Sequence, residues 1–247
     1  ALVNYISVVG WPDREADFEK WWANADGVVQ YCGKDNIRQQ AAMWQAMLMA
    51  AGLPNSKTIV VDGFITGEGG IKMSKSLGNT VDPLEIFKEY GAEALRYYVT
   101  REVSSFEDSP FTMEGFKNAY NAGLANGLGN LVSRIMKMAE EHLGHPVAWE
   151  KATSVKFDKA MEGYNLQAAM NDIWASISIA DALIQEKEPF KLIKTDKPGA
   201  LKIIEELVQR LDQISDLLQP FMPETSLKIF KCIKDNKMPE APLFARK

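Results

Sequence analysis

The sequence predicts a parallel α/β domain followed by an all-helical bundle, and three observations lead to that fold class. Short β-type runs alternate with helical periodicity up to about residue 110. From residue 111 onward the pattern is helical throughout, and prolines interrupt it. Between the two parts lies a polar segment, residues 104–110, which contains three serines and a proline. We therefore predict one domain at residues 1–110 and a second at residues 111–247.

The first part contains a strand–helix–strand unit. Residues 28–32 form a β-type run that ends at Gly33, and residues 58–61 form a second run that could continue to Thr66. Between them, residues 35–51 have helical periodicity and stop at a glycine that is closely followed by a proline. Two strands joined by a helix indicate a parallel sheet.

Capping residues predict where the next helices begin. Asp82 suits an N-cap and Pro83 the first helical position, so a helix is expected to run from there towards Arg101. In the second part, Thr112 can cap a long helix over residues 113–143. Further helical stretches are expected at residues 154–188, 198–219 and 223–236.

Composition excludes several classes of protein. The 247 residues are 46% hydrophobic and 25% charged, which is typical of a globular chain and not of a disordered tail, a collagen-like fibre or a disulfide scaffold. The two cysteines, Cys32 and Cys232, lack the spacing of zinc ligands, so no zinc site is expected in this chain. Two isolated thiols fit a cytoplasmic protein, and the longest apolar-rich run, residues 41–53, is too short for a membrane span.

Charge is unevenly distributed along the chain. The first 110 residues hold 10 Lys and Arg against 15 Asp and Glu, whereas the remainder holds 18 of each, which gives the net charge of −5. Two lysine clusters lie in the second part: Lys187, Lys191, Lys194, Lys197 and Lys202, and then Lys228, Lys231, Lys234 and Lys237. Such runs indicate either solvated helix faces or a local anion-binding surface.

The segment from Lys72 to Asn79 carries the clearest chemical signal. Lys72 and Lys75 flank small polar residues after a glycine-rich run, so the segment predicts a loop that can bring two ammonium groups to a polyphosphate. Lysines placed in this way stabilise the negative charge that builds up during phosphoryl chemistry. A pair of lysines at this spacing also occurs in ordinary exposed turns, and the surrounding residues decide between the two interpretations.

The whole string Lys-Met-Ser-Lys-Ser-Leu-Gly-Asn resembles the KMSKS signature of class I aminoacyl-tRNA synthetases. Its flanks are similar to methionyl-tRNA synthetases over nearly the whole chain, at residues 33–35, 37–38, 43–44, 48–54, 82–83, 91, 94–97, 119–121, 124–126, 128–131, 133–134 and 242–244. The resemblance implies a Rossmann-type catalytic half with a parallel sheet, followed by a helical-bundle anticodon-binding domain. Leucyl-, isoleucyl- and valyl-type enzymes share the lysine loop without these flanks.

The resemblance also implies a reaction and its residues. Methionine and ATP, the latter with Mg²⁺, would form methionyl-adenylate and pyrophosphate, and the methionyl group would pass to tRNA-Met. Lys72 and Lys75 would be the catalytic residues that neutralise the triphosphate. The residues implied to bind ATP are Gly33, Asp35, Ile65, Lys72, Met73, Ser74, Lys75 and Ser76. The residues implied to bind methionine are Ala1, Leu2, Tyr5, Asn36 and Gln40. At Asn36 and Gln40 the family often has Ile and His instead.

In the helical part, the resemblance implies anticodon contacts at Asn130, Arg134 and Phe190. Asn130 and Arg134 are four residues apart and therefore share a helix face. Their side chains suit base edges, because Arg offers a fork of donors and Asn a donor and an acceptor. Phe190 follows Pro189 and stands where many relatives have Trp after the proline. Its ring offers a face for stacking on an unstacked base.

The segment His142-Leu143-Gly144-His145 is close to HIGH, the other class I signature, but it comes after the lysine loop, where a helix is expected to stop. The chain has no other histidine, and it begins at Ala1 without Met or a targeting pattern. We therefore expect this chain to be the C-terminal part of the enzyme and to be inactive without an N-terminal half that carries HIGH. Two alternatives stay open: a non-catalytic tRNA-anticodon-binding fragment, or another class I synthetase of the Leu, Ile or Val type.

Overall fold

The computed structural model describes residues 2–24, 27–74, 78–148 and 151–247. The chain divides into two compact units, one of residues 1–65 with 106–109 and the other of residues 66–105 with 110–247. The segment 66–105 therefore packs with the helices that follow residue 110. The predicted division into domains at residue 110 stays a prediction.

The first unit is built around the predicted strand–helix–strand element, which the structure confirms. Strand β1 (Val29–Gly33) pairs in parallel with β2 (Thr58–Asp62), and the register runs from Val29 opposite Thr58 to Gly33 opposite Asp62. The connecting segment is a 3-10 turn at Lys34–Asn36, a π-helix at Arg38–Trp44 and the helix α3 (Gln45–Ala50). Two short helices precede β1: α1 (Asn4–Ser7) and α2 (Glu15–Phe18), the second continuing as a π-helix at Glu19–Ala23.

Aromatic side chains form the core of this unit. Trp22 and Trp44 meet edge to face with ring centroids 6.1 Å apart, and Ile6, Phe18 and Leu48 complete the buried cluster. The indole Nε1 of Trp22 donates a hydrogen bond of 2.9 Å to the carbonyl of Pro54. Burial of these large side chains fixes the connecting helix against the two helices that precede the sheet.

The second unit begins with the lysine loop. Strand β3 (Ile65–Thr66) lies apart from β2, so the suggested continuation of the second strand to Thr66 is interrupted. After the loop come α4 (Pro83–Tyr90) and α5 (Ala92–Arg101), and then the short strand β4 (Ser109–Pro110). The predicted cap is confirmed, because Asp82 accepts a hydrogen bond of 2.9 Å from the backbone of Leu84.

The prediction of a single helix from Pro83 to Arg101 is wrong, because the structure has two helices in this segment. Gly91 has a φ of +84°, which an L-residue side chain disfavours, and the chain therefore breaks into α4 and α5 at this glycine.

The remaining helices follow the prediction closely. Helix α6 (Met113–Ala119), a π-helical segment at Tyr120–Gly129 and α7 (Asn130–His142) form one continuous helical rod that Thr112 caps, as expected. The predicted helix at residues 154–188 is divided into α8 (Val155–Glu162) and α9 (Leu166–Lys187). The last three helices are α10 (Pro189–Leu192), α11 (Lys197–Leu218) and α12 (Pro223–Asp235). No helix in the described part of the chain is long and apolar enough to cross a membrane.

Helix α5 is anchored to the corner between α11 and α12. Arg96 donates hydrogen bonds to the carbonyls of Phe221 and Pro220, at 2.6 and 2.9 Å. The carboxylate of Glu93 accepts bonds from the backbone N–H groups of Glu224 and Thr225 in the first turn of α12. These contacts satisfy backbone groups that helix ends leave without an intrahelical partner.

A pair of leucines tests the packing of the helical core. Leu128 is fully buried in the π-helical segment, whereas Leu227 on α12 is 68% exposed. Leu128→Ala is expected to lower the free energy of unfolding by about 2–5 kcal/mol, because it leaves a cavity among side chains that are held on all sides. The control, Leu227→Ala, should change it by no more than about 0.5 kcal/mol. Equal losses in urea denaturation would contradict the placement of these two residues.

Candidate functional site

The predicted site residues are distributed over both units, and the structure describes most of them. Ala1, Lys75 and Ser76 lie outside the described residues, so the predictions made for them receive no structural account. Of the ATP-binding candidates, Gly33, Asp35 and Ile65 belong to the first unit, whereas Lys72, Met73 and Ser74 belong to the second.

Gly33 and Asp35 lie at the carboxyl end of β1. A Cβ atom placed on Gly33 would be 3.0 Å from the carboxylate oxygen Oδ1 of Asp35, so glycine gives this carboxylate room. Asn36 donates a 3.2 Å hydrogen bond from Nδ2 to the same oxygen. At the end of β1, the Asp35 carboxylate thus lies next to Gly33, whose backbone carries no side chain. Nucleotides bind at this edge of open α/β sheets.

Lys34 makes a contact that the sequence did not suggest. Its ammonium donates to Oδ2 of Asp108 at 2.5 Å, and it lies 4.6 Å from the centre of the Phe64 ring. The other carboxylate oxygen of Asp108 accepts a 2.7 Å bond from the backbone of Phe64. This contact ties residues 106–109 to the chain just before Ile65, whose side chain is exposed. The two hydrogen bonds hold the pKa of Asp108 below its usual range.

Three of the predicted methionine-binding residues come together in the first unit. Gln40 donates a 2.8 Å hydrogen bond from Nε2 to the hydroxyl of Tyr5, and the Tyr5 ring lies 5.9 Å from that of Trp44. Leu2 packs against the same cluster of tryptophans. Gln40 is buried, and its Oε1 has no hydrogen-bond partner among the described residues. The fourth described candidate, Asn36, is instead exposed beside Asp35.

The lysine loop is held at its base by backbone pairing and by one amide side chain. Thr66 and Lys72 form an antiparallel bridge, and the N–H of Gly67 donates to the carbonyl of Ile71 at 2.7 Å. Asn79 accepts a 2.8 Å bond from the N–H of Ser74 and donates a 3.4 Å bond to the carbonyl of Lys72. The side chain of Asn79 therefore bridges both sides of the loop. This role was not assigned from the sequence.

Lys72 itself is exposed at this loop, whereas Met73 is partly buried against the hydrophobic core of the second unit. The side chain of Met73 therefore fastens the loop to the core. Its predicted contact with ATP stays a prediction.

The anticodon candidates lie on the helical rod and on the turn that follows α9. Asn130 is exposed at the start of α7, and Arg134 lies one turn further along the same helix. Arg134 forms an ion pair with Asp181 of α9. Phe190 is 45% exposed on α10, and the ammonium of Lys191 lies 5.9 Å from its ring centre. The two base-edge candidates therefore share a helix face, as predicted, and the stacking candidate presents an open ring.

The segment that resembles HIGH ends a helix, as expected. Helix α7 ends at His142, and the next residue, Leu143, is extended. Within the described part of the chain, no three His, Cys, Asp or Glu side chains are grouped so that they could hold a metal ion.

Comparisons with known proteins agree on one family. The family model for class I tRNA synthetases (M) matches residues 1–136. A methionine–tRNA ligase of Caldanaerobacter subterraneus subsp. tengcongensis is 38% identical over 94% of this chain and 38% of its own length. For a Rickettsia prowazekii methionine–tRNA ligase the identity is 34%, over 93% of this chain and 48% of its own length. The chain therefore spans less than half the length of these two relatives.

Solved structures give the same result for the fold. Mycobacterium tuberculosis methionyl-tRNA synthetase in complex with methionyl-adenylate superposes with a TM-score of 0.82 at 25% identity, over 99% of this chain and 55% of that chain. The free form of that enzyme has a TM-score of 0.79 at 23% identity, over 54% of its length. The predicted α/β part and helical bundle are thereby confirmed as one known fold.

The lowered pKa of Asp108 gives a pH prediction. Because the folded-state pKa lies below that of an unfolded Asp, about 3.9, the charged carboxylate stabilises the fold above that pH and ceases to do so as the pH falls through the folded-state pKa. Asp108→Asn should therefore be less stable than the parent near neutral pH, and the difference should shrink below about pH 4. Urea unfolding followed by tryptophan fluorescence measures this, since four of the six tryptophans lie in residues 1–65. A difference that stays constant with pH would contradict it.

Proposed function

The chain belongs to the methionyl-tRNA synthetases of the class I tRNA synthetase family, and on that premise we propose that it supplies the lysine loop and the anticodon-reading helices of a methionine–tRNA ligase. The observation that carries the proposal is the loop at Lys72, whose base Asn79 holds by hydrogen bonds to Ser74 and Lys72 on its opposite side. Among the described residues, backbone pairing and this one amide hold the base of the loop, and Lys72 is exposed there.

The proposed reaction has two steps. The carboxylate of methionine attacks the α-phosphorus of ATP, the bond to the β-phosphate breaks, and methionyl-adenylate and pyrophosphate form. The 3′-terminal ribose hydroxyl of tRNA-Met then attacks the activated carbonyl, loses its proton and releases AMP. Both steps depend on positioning and charge stabilisation rather than on covalent catalysis by the protein.

Lys72 and Lys75 are proposed to neutralise the charge on the leaving pyrophosphate, which Mg²⁺ accompanies as part of the ATP substrate. Lysine suits this role because its compact charge can reach the phosphates as negative charge develops. Gly33 and Asp35 are proposed to contact the nucleoside, and Ile65 is proposed to lie against adenine. The bare backbone at Gly33 supports this assignment, since a side chain there would crowd Asp35.

Methionine is proposed to bind beside Leu2, Tyr5 and Gln40. Aromatic and aliphatic walls suit its thioether side chain. The buried amide of Gln40 does not titrate near neutral pH, and its hydrogen bond to Tyr5 fixes the position of both groups. Ala1 and Asn36, which the family resemblance adds to this group, are retained in the proposal.

The helical part is proposed to bind the anticodon loop of tRNA-Met through Asn130, Arg134 and Phe190. Phe190 has lysines on both sides along the chain, at positions 187–202, and these are proposed to meet RNA phosphates. The exposed ring supplies stacking energy that depends little on which base it meets.

A further segment that carries the HIGH element is proposed as the catalytic partner of this chain. Support comes from the first unit, where the described sheet has two strands, β1 and β2. Around them, Tyr31, Ile37 and Met43 are exposed apolar side chains, which additional strands or helices could cover. The working location is proposed to be the cytoplasm, because both cysteines are free thiols.

Reconstitution tests the proposed reaction. The 247-residue chain alone is expected to give no methionine-dependent ATP–pyrophosphate exchange, and addition of the N-terminal portion of the Caldanaerobacter relative should restore it. Lys75→Ala should lower the restored rate by about 100-fold or more, because it removes charge stabilisation in the transition state.

Each other outcome identifies a different function. Robust exchange by the isolated chain would contradict the need for a HIGH-bearing partner. RNA binding without restored exchange would favour the non-catalytic anticodon-binding fragment. Exchange driven by leucine, isoleucine or valine in place of methionine would favour another class I synthetase.

Phe190→Ala tests the anticodon assignment. Loss of the ring should weaken the binding of a tRNA-Met anticodon stem–loop by about 1–3 kcal/mol, the usual contribution of one base–aromatic stack. Phe230→Ala is the matched control, because Phe230 is also an exposed helical phenylalanine with lysines nearby, at positions 228 and 231. Fluorescence anisotropy at a fixed salt concentration measures both. Equal affinity of the Phe190 variant and the parent would count against the assignment.

A further inference from the structure

Three side chains form a chain of polar contacts from α9 to α7. A terminal nitrogen of the Arg134 guanidinium contacts Oδ1 of Asp181, and the two side chains are 34% and 36% exposed. The other carboxylate oxygen of Asp181 accepts a 2.5 Å hydrogen bond from Nε2 of Gln185, one turn further along α9. Both oxygens of the Asp181 carboxylate therefore have a partner. Gln185 fixes the position of this carboxylate, which accepts from Arg134.

This arrangement fixes a group that is otherwise long and free to rotate. The guanidinium is planar and has five N–H donors, so a carboxylate that engages one nitrogen sets the direction of the remaining donors. A donor fork discriminates between bases only when it is presented in one orientation, because the pattern of acceptors differs from base to base. A freely rotating arginine would bind any phosphate equally well.

The contact lies beside open space of a suitable size. Asp181 and Gln185, together with Asn126 and Ser178, line a groove of about 490 Å³ between the π-helical segment and α9. Small residues open the groove, and at Gly123 a Cβ would lie 3.4 Å from Nε1 of Trp174. Trp174 is 7% exposed, and this N–H has no acceptor among the described residues. The groove is thus lined by the buried indole of Trp174 and by the two residues that form the polar contacts with Arg134 and with each other.

We propose that Asp181, held by Gln185, is a positioning residue that orients Arg134 for the recognition of an unstacked RNA base, which lies at the groove between these helices. The proposal rests on the proposed function, since it assumes that Arg134 faces an anticodon loop. Asp181 acts through Arg134 and not by touching the phosphate backbone. Its effect is therefore on the choice of base rather than on the strength of RNA binding.

A role of the Asp181–Arg134 ion pair in stability alone and a role in orienting Arg134 lead to different expectations for substitutions at Asp181. Partly exposed ion pairs contribute little to stability, so Asp181→Asn is expected to leave the thermal unfolding midpoint near that of the parent. The substitution also adds one positive charge to the net charge, which raises affinity for any RNA. Affinity for a single RNA therefore cannot separate the two roles, whereas the ratio of affinities for two loops can.

The test measures that ratio in the full chain by fluorescence anisotropy at one salt concentration. The probes are an anticodon stem–loop with the sequence CAU and loops with one anticodon base changed. Asp181→Asn is expected to reduce discrimination by about tenfold, the effect of losing one oriented base contact. In an Arg134→Ala background the same substitution should change the ratio no further, because Asp181 then has no guanidinium to orient. Gln185→Ala should reduce the ratio in the same direction by a smaller factor.

Glu206→Gln is the matched control, because Glu206 forms an ion pair with Arg210 on the exposed side of α11 and the substitution adds the same charge. It should leave the ratio unchanged. If Arg134→Ala abolishes discrimination while Asp181→Asn keeps it, the positioning role is overturned and the proposed function stands. If the parent chain and Arg134→Ala bind all loops alike, the anticodon assignment fails and this inference fails with it.

Discussion

The close approach of Tyr97 to Gly123 is the constraint on which the second unit depends. A Cβ atom on Gly123 would lie 2.0 Å from the hydroxyl of Tyr97, so a glycine is required for α5 to pack against the π-helical segment at this depth. The ring of Tyr97 also lies 4.8 Å from that of Trp174 on α9. One buried aromatic residue thus joins α5, the second helix after the lysine loop, to the two helical segments that surround the groove.

The hydroxyl of Tyr97 is kept neutral in this position. Burial raises its pKa well above the ordinary value, and the hydroxyl donates to the carboxylate of Glu102 at 3.1 Å while it accepts from Arg101 at 2.9 Å. Arg101 in turn lies over the Trp174 ring, 5.1 Å from its centre. These hydrogen bonds lie within α5 and its C-cap residue Glu102, whereas the contacts of Tyr97 and Arg101 with the Trp174 ring join α5 to α9. Since Met73 packs on the same core, the lysine loop and the candidate RNA-binding helices share one interior.

The sequence predicted the features that depend on neighbouring residues. The caps at Asp82 and Thr112, the parallel strand pair and the helix stop at His142 follow from local propensities, and the structure confirms them. It missed the break at Gly91, because a glycine inside a helical pattern is compatible with either continuation or a stop. The family resemblance brought Tyr5 and Gln40 into one predicted site, and they are in contact. Ion pairs between distant positions, such as Lys34 with Asp108 and Arg134 with Asp181, leave no periodic signal and required the folded chain.

Charge alone is a weak explanation for the RNA binding that we propose for this chain. Near Phe190, Lys187 and Lys191 are each paired with a neighbouring glutamate, Glu186 and Glu188. Glu186 raises the pKa of Lys187, which keeps that lysine protonated while it reduces the net positive charge that a phosphate meets. Two of the five lysines in the cluster at positions 187–202 are therefore neutralised locally, even though the sequence of this segment is basic. The proposed binding of an RNA loop then depends more on stacking at the open phenylalanine ring and on oriented donors such as Arg134, which are less sensitive to salt than phosphate contacts are.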